Sequence, residues 1–318
     1  MSKTKQTPSI VKQIRDFVPQ EINYAFQKSI SYSQLSMYLS CPKKWALQYR
    51  DGHKIYNQSI NMTFGTSIHE TLQNYLHVLY TESGVKADEI DLEDHFEERF
   101  KENYSKGYKD NKNIHFSNSE EMREFFDDGI AILEFIKKKR GEYFSIRDWH
   151  LVGIEIPIVL SPDKRYNNIL YSGFIDLVLY HEATEKFVIY DIKTSTRGWT
   201  DKEKKDEIKQ FQILLYKQFF SEQFGVPEEN IDVEFFIVKR KIWEECEFPQ
   251  KRVQQFSPSN GKTKLKKART ALNKFIEEIF TIDGTYNAAD HLPTPSKSTC
   301  KYCPYKTKKE LCDKAILH

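Results

Sequence analysis

The chain has 318 residues, 39% hydrophobic and 14% aromatic, which fills one large core or two small ones and excludes a chain that is disordered throughout. Its 48 basic and 46 acidic side chains leave a net charge of +2, so the whole-chain balance marks no partner class. The distribution is uneven: residues 251–318 hold 14 basic and 6 acidic side chains, a net of +8, against −6 for the first 250. That asymmetry permits an anionic partner, or a helix face solvated by lysines. No apolar run approaches the ~20 residues that span a bilayer, and the opening MSKTKQTPSIVKQIRDF lacks a signal-peptide core, which predicts an intracellular protein with no membrane contact. Five cysteines in a reducing compartment are poor disulfide candidates. Three of them crowd the last nineteen residues, which makes metal or cluster ligation the live reading.

Residues 1–30 are polar with scattered apolar positions and read as a tail or a peripheral strand-like arm. YSQLSMYL at 32–39 places Leu35, Tyr38 and Leu39 on one helical face, and Cys41-Pro42 interrupts it. Pro42 suits the first turn of a second short helix carrying Trp45, Leu47 and Tyr49. After a break at Phe64-Gly65, helical spacing runs through Ile68, Leu72, Tyr75 or Leu76, and Leu79. His69 sits beside that stripe, where a lone histidine ordinarily belongs to the core edge or the surface. Two further amphipathic helices are predicted, through Leu92, Phe96, Phe100 and Tyr104, and through Met122, Phe125, Phe126, Ile130, Leu133 and Ile136, with a loop over about 106–119 between them. Strands follow at 151–160, 174–180 and 187–192, then a helix at about 203–224, a strand at 233–238 and a lysine-rich helix at about 264–280. This order predicts an α/β protein with a central mixed sheet flanked by helices.

The two strands at 174–180 and 187–192 form a hairpin across the polar turn HEATE at 181–185. Each carries a carboxylate where a core strand ordinarily carries none: Asp176 in the first, Asp191 in the second, with Lys193 two residues beyond. Residues two apart on a strand share a face, so Asp191 and Lys193 point the same way. If the neighbouring strand brings Asp176 alongside, two carboxylates converge and repel unless a cation lies between them. Hard oxygen ligands suit Mg²⁺ or Mn²⁺, which polarise a phosphate and acidify bound water. The ordinary alternative is an ion pair at a sheet end. In the helix after the hairpin, Gln212 and Tyr216 are four apart and share a face from which both reach phosphate or base edges, or simply line a helix surface.

Taken in order, GTSIH at 65–69, GFID at 173–176, DIK at 191–193 and QILLY at 212–216 resemble the successive motifs of RecB-type nucleases of the PD-(D/E)XK superfamily. SYSQLSMYLSCPKKWALQY resembles the usual N-terminal segment of that group, so the resemblance spans about residues 31–316. It implies a restriction-endonuclease-like core in a single domain over 31–318: a helical region at 31–148, a catalytic sheet core at 149–245, and a basic helix with a Cys-rich end at 246–318. It further implies metal ligation by His69, Asp176, Asp191 and the backbone carbonyl of Ile192. Lys193 would position the attacking water, and Gln212 and Tyr216 would hold the DNA strand or support the site. Glu155, in the preceding strand, joins through a water or is a strand-end surface acid. A histidine at position 69 goes with the exonuclease-like branch, acting on single strands or DNA ends, alone or with a helicase or recombination partner. The non-catalytic alternative is a DNA-binding subunit, and Lys262, Lys264, Lys266 and Lys267 are candidates for phosphate contact in either case.

Cys41, far upstream, with Cys300, Cys303 and Cys312 is similar to the one-plus-three cysteine arrangement of iron-sulfur nucleases of the RecB type, including CRISPR-associated adaptation nucleases and AddB-like nucleases. The resemblance implies a four-iron four-sulfur (4Fe-4S) cluster that closes the C-terminal part onto Cys41, with structural Zn²⁺ as the alternative. Eight residues separate Cys303 from Cys312, a longer interval than that subgroup's. Cys246 fits no ligand pattern and reads as a spare thiol.

Overall fold

The computed structural model describes residues 6–55, 58–243 and 245–317. Residues 6–30 do more than trail. Helix α1 (Ser9–Arg15) buries Val11 and Ile14, and strand β1 (Lys28–Ile30) joins the sheet. Helix α2 (Tyr32–Ser40) follows, then α3 (Pro42–Trp45), which begins at Pro42 where the missing N–H is not needed, and a π-helical turn over Ala46–Arg50. Helices α4 (Ile60–Thr81), α5 (Gly84–Asp88), α6 (Leu92–Asp110) and α7 (Ser119–Tyr143) form one wall of the molecule. The sheet strands β2 (Trp149–Leu160), β3 (Ile169–His181) and β4 (Lys186–Ser195) come next. The chain then passes through α8 (Asp201–Lys204), α9 (Glu207–Phe224), a 3₁₀ turn (Glu228–Asn230), β5 (Ile231–Lys239), β6 (Val253–Phe256), α10 (Lys262–Ile279) and α11 (Lys297–Lys301).

Strand order is β1-β3-β4-β5-β6, with β2 on the other edge of β3. β2, β3 and β4 are antiparallel, β5 runs parallel to β4, and β6 returns antiparallel to β5, so the sheet is mixed, as the element order predicts. Each face of the sheet covers its own core. Ile175, Val178, Ile189, Phe235 and Ile237 pack with α9, α10 and α2; Leu177, Leu179, Tyr190, Ile192 and Phe236 pack with the wall of α4, α6 and α7.

Several boundaries differ from the sequence reading, α6 running to Asp110 into the expected loop among them, and three have a local reason. Helix α4 starts at Ile60, capped by the Ser59 hydroxyl accepting from the Met62 N–H, and runs through Gly65 without breaking. A Cβ at Gly65 would stand 3.1 Å from Thr194 Oγ1, so the glycine lets α4 approach β4 closely. The helix expected from about residue 203 is two: α8 ends, and the Asp206 carboxylate caps α9 by accepting from the Ile208 N–H. Finally, the sheet exceeds the limits 149–245, because β1 enters from one side and β6 from the other.

Candidate active site

Along one edge of β3, the partner changes. β1 pairs as far as Tyr171, and β4 takes over from Leu177, so residues 172–176 have no strand beside them on that edge. Asp176 and Asp191 are the first residues past the last β3–β4 rung, Leu177↔Tyr190, one from each strand. There the strands fork, and polar groups that would be intolerable in a closed ladder converge.

The Ile192 N–H donates to Asp176 Oδ2 at 2.7 Å, which ties the first acid to the backbone beside the second. Asp191 is only 1% exposed. Lys193 Nζ lies 2.8 Å from Asp191 Oδ2, and the buried Oδ1 accepts no hydrogen bond. From α4, His69 places Nδ1 3.9 Å from Asp176 Oδ2, with the Ile192 carbonyl also against its ring. The structure thus brings His69, Asp176, Asp191, Lys193 and the Ile192 backbone into one cluster.

Burial dominates the electrostatics. It pushes Asp176 up to about 6, against the pull of Lys193 and the Ile192 N–H, with Glu155 adding to the rise. It pushes Asp191 up to about 6 as well, opposed by Lys193 and reinforced by Asp176. Burial, and then Lys193, drive His69 down to about 4, so its imidazole is neutral at pH 7 and offers a lone pair. For Lys193, burial opposes the charge, but Asp191 and Asp176 together outweigh it and hold the ammonium protonated.

A residue that the pattern of the sequence does not single out completes the cluster. Gln73, one helical turn past His69 on α4 and 6% exposed, donates through Nε2 to Glu155 Oε1 at 2.7 Å and to the Asp176 carbonyl at 3.1 Å. Glu155 lies between the rungs Ile154↔Leu177 and Ile156↔Ile175, level with Asp176, and takes φ 50°, a left-handed conformation unusual for a glutamate. The ladder of β2 has already shifted register between Leu151 and Gly153. Gln73 therefore ties an irregular stretch of β2 to β3. The only sequence signal for it is its i+4 relation to His69.

Behind the acids, Tyr216 is buried with its ring against Gly173, where a Cβ would stand 3.1 Å from Tyr216 Cε1. Burial, with Asp191 second among the groups that raise it, lifts its hydroxyl above the usual range, and the Gln212 side chain hydrogen-bonds to it. Gln212 and Tyr216 are thus coupled, with Tyr216 underneath the site. Tyr32 of α2 also carries the influence of Asp191 and donates to the Ile208 carbonyl at 2.9 Å. Of the α10 lysines, Lys264 and Lys267 both engage Glu207, at 3.0 and 2.5 Å, while Lys262 and Lys266 are exposed.

Cys41, Cys300, Cys303 and Cys312 line one small cavity with Lys43, Lys44 and Tyr305. Burial raises the Cys303 thiol, and Cys41 and Cys300 act on it in the same direction. The cavity closes where the two ends of the chain meet: Thr294 Oγ1 donates to the Ser40 carbonyl at 2.7 Å, and the Tyr305 hydroxyl bonds to Gln48 and to the His53 carbonyl, both at 2.7 Å. Cys246 does not line it; its Sγ accepts from Gln250 Nε2 at 3.2 Å.

The profile of the PD-(D/E)XK nuclease superfamily matches residues 29–308. The chain belongs to this superfamily. Its mixed sheet with flanking helices is accordingly a restriction-endonuclease-like core. A crystal structure of a candidate exonuclease from Eubacterium rectale is similar over 93% of this chain and 91% of that one, with a TM-score of 0.47 and 10% identity. No curated protein matches the sequence.

Members of the superfamily usually use Mg²⁺ or Mn²⁺. Among the described residues, no group of three or more His, Cys, Asp or Glu side chains stands ready to hold a metal ion as placed, and this covers both the acid cluster and the four cysteines. The donor chemistry nevertheless fits a hard cation at the fork. Two carboxylates, a neutral imidazole and a carbonyl gather there, and Asp191 keeps a buried Oδ1 without a hydrogen bond, with only Lys193 against Oδ2. The four thiols, gathered on one cavity, are a donor set suited to iron or zinc.

Proposed function

We propose that the chain is a divalent-metal-dependent deoxyribonuclease that hydrolyses phosphodiester bonds at DNA ends or in single strands, an exonuclease of the RecB type. The observation that carries this reading is Asp191: a carboxylate 1% exposed, beside Asp176, with Oδ1 lacking a hydrogen bond and Oδ2 facing only Lys193 Nζ at 2.8 Å. Two buried carboxylates against one ammonium stay costly unless a further cation compensates them. His69, Asp176, Asp191 and the Ile192 carbonyl would hold Mg²⁺ or Mn²⁺, which supplies charge stabilisation at the phosphate and lowers the pKa of water. Lys193 would hold the attacking water and balance negative charge as the water oxygen bonds to phosphorus and the P–O bond to the leaving oxygen breaks, the water's proton passing to solvent and the leaving oxygen taking one from solvent. Gln73 keeps Glu155 level with Asp176, where its carboxylate would accept a hydrogen bond from a water entering the site. Gln212 and Tyr216 brace the floor beneath Asp191.

Digestion of end-labelled single- and double-stranded DNA with Mg²⁺ or Mn²⁺, with either end blocked, tests the reading. Asp191→Ala and Lys193→Ala are each expected to lower the rate at least 100-fold while DNA binding persists; undiminished cleavage by either variant sinks the assignment.

We further propose that Cys41, Cys300, Cys303 and Cys312 hold a 4Fe-4S cluster of structural role, as in the iron-sulfur subgroup. The support is their common cavity at the junction of the chain ends. Protein purified without oxygen is expected to be brown and to contain iron. Colourless protein with stoichiometric zinc would replace the cluster with a zinc site.

A further inference from the structure

The face of the sheet that carries Lys193 continues into an open cavity that the acid cluster leaves unused. β4 and β5 run parallel, with Lys193 paired to Ile237 and Ser195 to Lys239. Lys239 therefore lies two residues past the rung of Lys193, about 7 Å along the strands and on the same face. Beyond it opens a cavity of about 820 Å³, lined by Arg197, Lys239, Lys241, Trp243, Glu245 and Gln250.

Three features of the lining point to one kind of ligand. Trp243 is 74% exposed at the rim, so a large flat π face is offered to solvent. Arg197 is exposed and Lys239 half-buried, and among the described residues neither has a carboxylate within ion-pair distance. The Lys239 stem runs along Gly198, where φ is 89° and a Cβ would stand 3.1 Å from Lys239 Cδ, so the glycine leaves room for the lysine to lie in the groove. The remaining cation, Lys241, is committed to Glu124 and Asp128 at 2.8 and 2.9 Å and braces the wall against α7. Glu245 is the one acid among the lining residues.

We propose that this groove is a subsite for an unpaired nucleic-acid strand, with a base stacked on Trp243 and phosphates held by Arg197 and Lys239. An aromatic face takes any base, but only one that has left its partner, and two cations flanking it suit a backbone that tracks past the cluster. The subsite rests on the nuclease reading above and adds to it the selection of single strands over duplex.

The test is equilibrium binding of a fluorescein-labelled oligothymidylate and of a blunt duplex, both in EDTA so that nothing is cut. Trp243→Ala is expected to weaken single-strand binding about 10-fold and to leave duplex binding unchanged, and Trp243→Phe to restore most of the loss. The Arg197→Ala/Lys239→Ala double variant should reduce the slope of log K against log salt by about 1.4 for the single strand. Unchanged single-strand binding in Trp243→Ala, an equal loss on duplex, or no single-strand binding by the unaltered chain overturns the subsite. The outcomes separate the two proposals. A chain that binds as expected yet cuts no DNA keeps the subsite and loses the nuclease; one that cuts, with binding indifferent to Trp243, loses the subsite alone.

Discussion

At the scale of single residues, the fork between β3 and β4 stores an electrostatic cost that pH can expose. Asp176 and Asp191 have an ordinary value of 3.8 and rise to about 6 in the folded chain. The folded state therefore binds their protons more tightly than the unfolded one. Each acid contributes stability that is present below 3.8 and lost as the pH rises through about 6. Asp191→Asn, which imitates the protonated acid, is expected to melt on the order of several degrees higher than the unaltered chain at pH 8 in EDTA, with the gap closing as the pH falls toward 4. Adding Mn²⁺ at pH 8 should raise the melting temperature of the unaltered chain and leave that of Asp191→Asn nearly fixed. A lower melting temperature for Asp191→Asn at pH 8 would show that Asp191 is stabilised as an anion by its protein neighbours alone. The acids and Lys193 were visible in the sequence because charges inside apolar strands break the expected alternation. Gln73 was not, since an amide on an amphipathic helix breaks no pattern, and the left-handed backbone of Glu155 leaves no mark on residue type.

At the scale of elements, close approach decides where helices sit. Gly129 of α7 faces Phe96 of α6, and a Cβ there would run into the ring, which is fully buried against Phe64, Phe100 and Phe126. Gly129→Ala is expected to destabilise the chain by about 1–3 kcal/mol despite alanine's better helix propensity, read as a lower urea midpoint at unchanged m. An unchanged or higher midpoint would mean that the α6–α7 seam yields. Gly65 makes the related case in α4, where the sequence suggests a helix break and the structure holds an unbroken helix pressed against Thr194. A glycine reads as a breaker from propensity alone; what it permits is visible only once its neighbour is known. Long periodic helices such as α6, α7 and α10 were legible, as were the core strands. β6 was not, because Val253, Gln254, Gln255 and Phe256 show little alternation and owe their strand to the edge of β5. The gap on the edge of β3 was equally hidden, since which strand lies beside which is settled by pairing across more than a hundred residues.

At the scale of the molecule, the sheet separates two cores, and the chain must cross between distant segments to finish either. The core on the α9 side takes Val11 and Ile14 from the start and Phe275 and Ile279 from near the end; the site lies where the sheet meets the α4 wall. The Tyr305 hydroxyl reaches Gln48 across 257 positions of sequence, and Thr294 reaches Ser40 across 254. Contacts that remote form late, because their closure entropy must be met before they stabilise anything. The junction that gathers the four thiols thus imposes an order on biosynthesis. A nascent chain that has already made His69, both aspartates and Lys193 still lacks the clasp on residues 40–53, which closes only once Thr294 and Tyr305 have been synthesised.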